Sequence, residues 1–240
     1  MESRNKFYKK LSSLSFGILG VFLVMGISAP HSKALVRLGV LGGANLVKPT
    51  FSSYDVSPLS YTVTSESQAN FIMGAFGEIS FLGPAIELGV FYTPRNIEYK
   101  VDTDVTITGV AASSSTIEAS YTYLTVPLLF RYWLLDTISV GAGGYWGTAL
   151  NEKVKSEIAT TSAGGTTATI TNSETDIAEE LKSDWGLMLA AGLAYKVAPM
   201  IEARLDARYA FGLDNHKVQS SGATVKFRDI QILAGINFKL

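Results

Sequence analysis

The pattern that decides the fold is clearest in residues 201–212, which read Ile-Glu-Ala-Arg-Leu-Asp-Ala-Arg-Tyr-Ala-Phe-Gly. Apolar or small side chains occupy every second position from Ile201 to Phe211, and charged side chains fill the positions between them from Glu202 to Arg208. Successive side chains of a β-strand point to opposite faces. This period of two therefore predicts a strand with one apolar and one charged face.

The same alternation recurs along the chain and predicts eight strands. They lie at about residues 35–46, 69–81, 85–99, 119–133, 138–150, 184–197, 200–212 and 228–240. Tight links follow the second, fourth and sixth strands, whereas the other links are long and rich in Ser, Thr, Asp and Asn. The long links are residues 47–68, 100–118, 151–183 and 213–227. Short turns on one side and long loops on the other, with an even strand number, are typical of a bacterial outer-membrane barrel.

The composition agrees with a membrane protein that crosses with strands. Of 240 residues, 47% are hydrophobic and only 17% are charged, and the mean hydropathy is +0.22. After residue 34 no apolar run approaches the roughly 20 residues of a spanning helix, whereas each predicted strand exceeds the roughly 9–11 residues of a tilted strand. The absence of cysteine excludes disulfides and thiolate sites. The net charge of −1 argues against a nucleic-acid partner.

Residues 1–34 have the features of a secretory signal peptide. Basic residues dominate the first ten positions, an apolar run extends from Phe16 to Ile27, and Ser32 and Ala34 supply the small residues that precede a cleavage site. The run is short for a membrane anchor. We therefore predict a signal peptide at 1–34 and a barrel domain at 35–240.

Aromatic residues on the apolar faces separate a membrane barrel from a soluble β-sandwich, which would show the same alternation. Towards the long links they are Phe71, Tyr92, Trp146, Trp185, Tyr209 and Phe211, and towards the short links they are Phe81, Tyr132, Tyr195 and Phe238. Two such girdles mark the two water–lipid interfaces. In hydrocarbon every backbone polar group must be paired, so the last strand is expected to pair with the first.

The opposite faces carry five basic and five acidic residues that would point into the barrel. They are Arg37, Glu78, Glu87, Arg95, Arg131, Glu202, Arg204, Asp206, Arg208 and Asp229. Eight strands enclose an interior that side chains fill, and buried charges must be paired. We predict a salt-bridge network that plugs a polar lumen. Pro127 falls within a predicted strand and cannot donate to the ladder, so we expect a bulge or kink there.

Several of these strands resemble those of a known family. Residues 123–132, Tyr-Leu-Thr-Val-Pro-Leu-Leu-Phe-Arg-Tyr, and the glycine-rich residues 138–147 resemble strands of the small outer-membrane β-barrels that include PorT-like proteins. The overall architecture is similar to OmpA- and OmpX-type barrels. Residues 234–240 resemble the C-terminal signal read by the barrel-assembly machinery, with Gly235, Phe238 and Leu240 in the matching places. The resemblance implies an all-β, eight-stranded, antiparallel up-and-down barrel in the outer membrane.

The sequence offers little catalytic machinery. Past residue 34 the one histidine is His216, and no partner within hydrogen-bond reach is evident for it. We expect a monomeric, non-enzymatic protein with neither cofactor nor metal, with lipid and the assembly machinery as partners and the long links as candidate contacts for a surface ligand.

We read Ser173–Asp176 as the cap of a short helical turn, after a hairpin that extends the flanking strands. The alternatives are a narrow porin for small solutes, a lipid-modifying enzyme and a secreted ligand-binding barrel.

Overall fold

The computed structural model describes residues 34–51, 61–81, 83–103, 110–134, 136–162, 167–176, 183–214, 216–217 and 224–240. The predicted signal peptide lies almost wholly outside these residues and stays a prediction. In the described part of the chain, no helix is long and apolar enough to cross a membrane.

Eleven strands make up the described structure. They are β1 (Ala34–Phe51), β2 (Tyr61–Ser67), β3 (Ala69–Phe81), β4 (Pro84–Thr103), β5 (Val110–Leu134), β6 (Ile138–Ser162), β7 (Thr167–Asp176), β8 (Ser183–Ala198), β9 (Ile201–Gly212), β10 (His216–Lys217) and β11 (Thr224–Lys239). Eight of them pair in the order β1-β3-β4-β5-β6-β8-β9-β11, and β11 pairs with β1. Every pairing is antiparallel, so the predicted eight-stranded, closed, up-and-down barrel is confirmed.

The register of the pairings fixes the stagger of the barrel. Starting at Arg37 and stepping from partner to partner through all eight strands leads back to β1 at Val47, ten residues further along. With a rise of ~3.4 Å per residue and a strand spacing of ~4.8 Å, this stagger tilts the strands by about 41° from the barrel axis. That angle lies within the usual range for barrels.

The short links are tight turns, as predicted. Gly83 has φ of 120°, a conformation open to glycine because it lacks Cβ. Asp136 has φ of 57°, in the left-handed region where aspartate is one of the tolerated residues. Residues Pro199 and Met200 form the third turn, between β8 and β9. The side of the barrel that carries these turns is called the lower side below.

The long links differ from the prediction because much of their length is strand. β5 and β6 are each 25 residues long, far beyond the roughly 9–11 residues of a crossing. Above the barrel β2 pairs with β4, and β7 pairs with β6 as the predicted hairpin requires. Ser173–Asp176 belongs to β7, so the predicted helical cap is wrong. Alternation marks a strand only while its two faces meet different surroundings, such as lipid and a polar lumen, whereas these segments continue the pairing above the barrel.

Of the bulge or kink expected at Pro127, the bulge is absent. The β4–β5 pairing omits Gly89 and Val90, opposite Val126 and Pro127, but the register is the same on both sides of the gap. On the other side Pro127 faces Tyr145 without a shift. The missing N–H thus interrupts the ladder without inserting a residue.

The outer surface of the barrel is apolar. Leu189, Val140 and Ile232 are about half exposed, and so are most of the predicted girdle residues. Aromatic side chains lie near both ends of the strands, with aliphatic ones between them, which is the arrangement of a lipid-facing band with two girdles.

Candidate functional site

The interior of the barrel contains the buried charged side chains of the described structure. All ten charged residues expected there are buried, and none exceeds 5% exposure. An eleventh, Asp184, is 1% exposed and had been placed on the inward face but not in the network. These side chains do not form one network. They form two clusters at different heights, with apolar residues between them.

The lower cluster comprises eight charged residues near the short turns: Arg37, Glu78, Glu87, Arg131, Glu202, Arg204, Asp206 and Arg208. Arg204 is at its centre. Its Nη1 donates to Glu78 Oε2 (3.2 Å), its Nε to Asp206 Oδ1 (3.1 Å) and its Nη2 to Glu87 Oε2. Because β3, β4 and β9 supply these partners, one guanidinium joins three strands across the lumen.

The other arginines of the lower cluster complete its charge balance. Arg131 lies 2.6 Å from Asp206 Oδ2 and 2.8 Å from Glu87 Oε2. Arg208 lies 2.9 Å from Glu87 Oε1 and 2.8 Å from Asp206 Oδ2. Arg37 reaches Glu78 at 2.8 Å and Glu202 at 3.1 Å. Four arginines thus face four carboxylates, and every carboxylate binds at least one arginine; the partly exposed Lys239 also reaches Glu202 Oε1 at 3.3 Å.

An apolar layer lies directly above the lower cluster. Leu41, Ile72, Phe76, Phe91 and Leu233 form one buried group, and Leu129, Tyr145, Met188, Ala190 and Ala210 form another. Two arginines of the lower cluster cover this layer, because Arg204 lies 4.3 Å from the centroid of the Phe76 ring and Arg208 lies 4.8 Å from that of Phe91. Cation–π contacts of this kind are attractive when desolvated.

The upper cluster consists of Arg95, Asp184 and Asp229. Arg95 Nε donates to Asp229 Oδ2 (2.8 Å) and its Nη1 to Asp184 Oδ2, which also accepts from the Tyr145 hydroxyl at 3.1 Å. The guanidinium carbon is 4.8 Å from the ring centroids of both Tyr123 and Phe227. A single cation between two carboxylates leaves this cluster with a formal charge of −1.

Gly235 and Phe238 of the predicted assembly signal lie in β11, and Leu240 directly follows that strand. Phe238 and Leu240 point outward and are 48% and 61% exposed. A Cβ on Gly235 would collide with the carbonyl oxygen of Val40 on β1, so this glycine lets β1 and β11 approach each other closely.

The backbone of His216 lies in β10, and its side chain is outside the described features. Among the described residues no group of three or more His, Cys, Asp or Glu could hold a metal ion.

A closed barrel with an apolar, aromatic-banded exterior and a salt-bridged interior defines an integral β-barrel membrane protein. The family model described as "Outer membrane protein beta-barrel domain" matches residues 28–217. The chain belongs to this family, which places it in the bacterial outer membrane. No curated protein matches it.

Solved structures with similar folds come from several outer-membrane proteins. OprG of Pseudomonas aeruginosa has a TM-score of 0.44 and 15% identity, over 86% of this chain and 95% of that one. The protease OmpT of Escherichia coli has a TM-score of 0.40 and 9% identity, over 86% and 97%. The attachment invasion locus protein Ail of Yersinia pestis, in complex with a heparin analogue, has a TM-score of 0.35 and 10% identity, over 85% and 99%.

Proposed function

We propose that this protein is a non-enzymatic, non-conducting outer-membrane barrel that acts through the strands above the membrane. The lower cluster carries the proposal of a closed lumen. Its eight charged side chains come from β1, β3, β4, β5 and β9, and all of them are buried. A path for ions along the axis would have to separate these pairs.

Two barriers in series support a closed lumen. Breaking a buried ion pair by removing one partner typically costs about 3–5 kcal/mol, and Arg204 alone takes part in three such pairs. Above it the apolar layer presents Phe76, Phe91 and Leu233, which offer an ion no polar partner in place of its hydration shell.

Single-channel recording in a planar bilayer tests the closed lumen and separates it from the narrow porin. We expect no steady openings from the full chain. The double variant Arg204→Ala/Glu78→Ala removes one cation and one anion, keeps the lower cluster neutral and shortens two side chains that fill the lumen. Because the apolar layer remains in series, this variant should also show no steady openings, and steady openings of it would show that the lower cluster is the only effective barrier. Steady openings of the unaltered protein would refute the closed lumen.

The proposed site of action is the sheet that extends above the barrel. There β2, β4, β5, β6 and β7 pair side by side, so the described residues on the outer side form a five-stranded sheet. Loops and projections held by a rigid scaffold commonly carry the binding function of a protein. We propose that this sheet contacts a partner at the cell surface.

A shortened hairpin tests the role of the sheet. Ile158 pairs with Ile170 across β6 and β7, so residues 159–169 can be replaced by Asn-Gly, which favours a two-residue hairpin turn. A deletion strain complemented by the full chain or by this variant is compared for adhesion to epithelial monolayers and for leakage of periplasmic protein. We expect the variant to lose adhesion while the envelope stays sealed. Equal adhesion by both strains would contradict the proposal.

The proposed lack of enzymatic activity rests on the carboxylates of the lumen. Each one in the lower cluster binds arginine, which leaves no free base next to a nucleophile of the kind that acid–base catalysis needs. Purified protein incubated with phospholipid, lipid A or peptide substrates should release no product. A product whose release depends on His216, abolished by His216→Ala, would show the lipid- or peptide-modifying alternative to be right.

A further inference from the structure

Only one of the two carboxylate oxygens of Asp229 in the upper cluster has a partner. Nε and Nη2 of Arg95 both reach Asp229 Oδ2, at 2.8 Å, whereas Asp229 Oδ1 forms no hydrogen bond. Asp229 is 0% exposed, so bulk water does not solvate this atom. A carboxylate oxygen without a partner is costly to bury, and it is stabilised by a donor or a cation.

Two more oxygen atoms without a partner lie beside Asp229. Asn45 pairs in register with Gln231, which is two residues from Asp229 on the same inward face. The amide nitrogen of Asn45 lies beside Asp229 and donates to the carbonyl oxygen of Pro94 at 3.3 Å. Asn45 Oδ1 forms no hydrogen bond, and neither does the hydroxyl of Thr93, the residue before Pro94. Both side chains are 0% exposed.

The three atoms come from three strands and lie in the same part of the lumen. Thr93 on β4 pairs with Tyr123, whose ring is 4.8 Å from the guanidinium carbon of Arg95. Asn45 on β1 connects this part of β4 to Asp229 on β11 through the contacts given above. We call Asp229 Oδ1, Asn45 Oδ1 and Thr93 Oγ1 the upper oxygen set.

The composition of the upper oxygen set indicates which ligand it suits. Arg95 is shared between Asp184 and Asp229, so it neutralises Asp229 only in part and the set attracts a cation. Oxygen ligands without nitrogen or sulfur are those that hard cations prefer. Calcium takes 6–8 oxygens, commonly from several carboxylates. One carboxylate and two neutral oxygens match a single positive charge better.

We propose that the upper oxygen set binds a monovalent alkali cation, for which sodium is the test ion. The ion joins β4 to β1 and β11, the two strands that close the barrel. The apolar layer lies below the site and offers the ion no polar partner, so the ion is held and not conducted. Its binding stabilises the closing pair of strands at the outer end, whereas the lower cluster does so at the other end.

Thermal unfolding of the full chain in phosphocholine vesicles tests this proposal, with sodium chloride compared with choline chloride at equal ionic strength. A ligand that binds only the folded state multiplies the ratio of folded to unfolded protein by one plus its concentration over Kd. For a Kd of about 10 mM, about 100 mM sodium raises this ratio roughly tenfold. The melting temperature of a chain of this size should then rise by about 3–6 °C.

Two variants remove members of the upper oxygen set. Asp229→Asn removes the negative charge and should abolish the rise in sodium. Thr93→Val is nearly isosteric, removes a hydroxyl without a partner, and should reduce the rise. Because each variant is compared with itself in the two salts, a change in its basal stability does not alter the result. If Asp229→Asn fails to fold, Thr93→Val still decides the outcome.

Two matched controls lie in or beside the lower cluster. Glu202→Gln removes one carboxylate, as Asp229→Asn does. Ser139→Ala removes a buried hydroxyl, as Thr93→Val does, and this hydroxyl accepts from Arg131 at 3.1 Å. Both controls should keep the full rise in sodium, whatever their basal stability. A rise that is lost equally in the controls and in the two variants would overturn the proposal.

The remaining outcomes separate sodium from other ligands. Equal melting temperatures of the parent in the two salts would overturn the proposal, as would a full rise in Asp229→Asn or Thr93→Val, because the ion would then lie elsewhere. A parent that is insensitive to sodium but becomes more stable as the pH falls would indicate a proton on Asp229 instead. A response to calcium chloride alone would indicate a divalent site, and either result would refute the proposal.

Discussion

Replacement of Arg204 by methionine tests whether the lower cluster holds the barrel together. The parent cluster has four arginines and four carboxylates, and Arg204→Met leaves three cations with four anions. Glu78, Glu87 and Asp206 each lose a partner at once. Removing one member of a buried pair costs about 3–5 kcal/mol, because the charge left behind stays buried without compensation. We therefore expect the free energy of unfolding to fall by about that amount.

The measurement is urea-induced unfolding of the full chain in phosphocholine vesicles, followed by tryptophan fluorescence. Trp133 is a suitable reporter because its indole donates to Glu78 at 2.7 Å. Lys239→Met is the control: its pair with Glu202 spans 3.3 Å and its side chain is 28% exposed, so removal should cost less than about 1 kcal/mol.

A double-mutant cycle separates charge from packing. Glu87→Gln removes one anion, so Arg204→Met/Glu87→Gln restores the balance of three cations and three anions. Its loss should be smaller than the sum of the two single losses by about 1–3 kcal/mol. If the losses are additive, or if Arg204→Met costs less than about 1 kcal/mol, then the salt bridges do not stabilise the barrel and the reasoning fails.

Three further predictions concern packing, lipid contact and assembly. A Cβ on Gly192 would lie 2.8 Å from Ser139 Oγ and collide with a carboxylate of the lower cluster. Gly192→Ala should therefore lower the free energy of unfolding by about 1–3 kcal/mol in the same urea titration. Gly144→Ala is the near-neutral control, because its Cβ would meet one atom at 3.3 Å. Leu189→Arg, in the middle of the lipid-facing band, should lower the free energy of unfolding in vesicles by about 2–4 kcal/mol, and Leu134→Arg, at the lower rim, by about 0–1 kcal/mol. Equal losses would contradict the membrane depth assigned to the two residues. Phe238→Asn should reduce the folded protein recovered from outer membranes, measured as the heat-modifiable band on gels, without changing refolding into detergent.

Alternation was sufficient to predict the barrel and the side on which each charged residue lies. Residues such as Arg37 and Asp229 stand in strands where every second side chain is apolar, and lipid on one face imposes that order. The stagger of ten residues could not be predicted from the sequence, because register depends on which atoms pair between strands rather than on the pattern within one strand.

The division of the interior into two clusters was also missed, for a physical reason. Inward apolar residues such as Leu41, Phe76 and Phe91 interrupt the alternation, and a single sequence gives no reason to treat them as a layer. Their common height follows only from the register. Asp184 shows the same limit: its inward direction was evident, but its partner Arg95 lies 89 residues away.

The sequence separation of the contacts in the lower cluster has a consequence for biogenesis. Arg37, on the first strand, binds Glu202 across 165 residues of chain, and the same carboxylate accepts from Asn237 on the last strand. Contacts of such long range slow folding because the chain must be brought together before they form. A half-finished barrel therefore has unneutralised charges in its wall and two unpaired edges. The barrel closes when β11 pairs with β1. We therefore expect the unclosed chain to need protection from aggregation until that pairing forms.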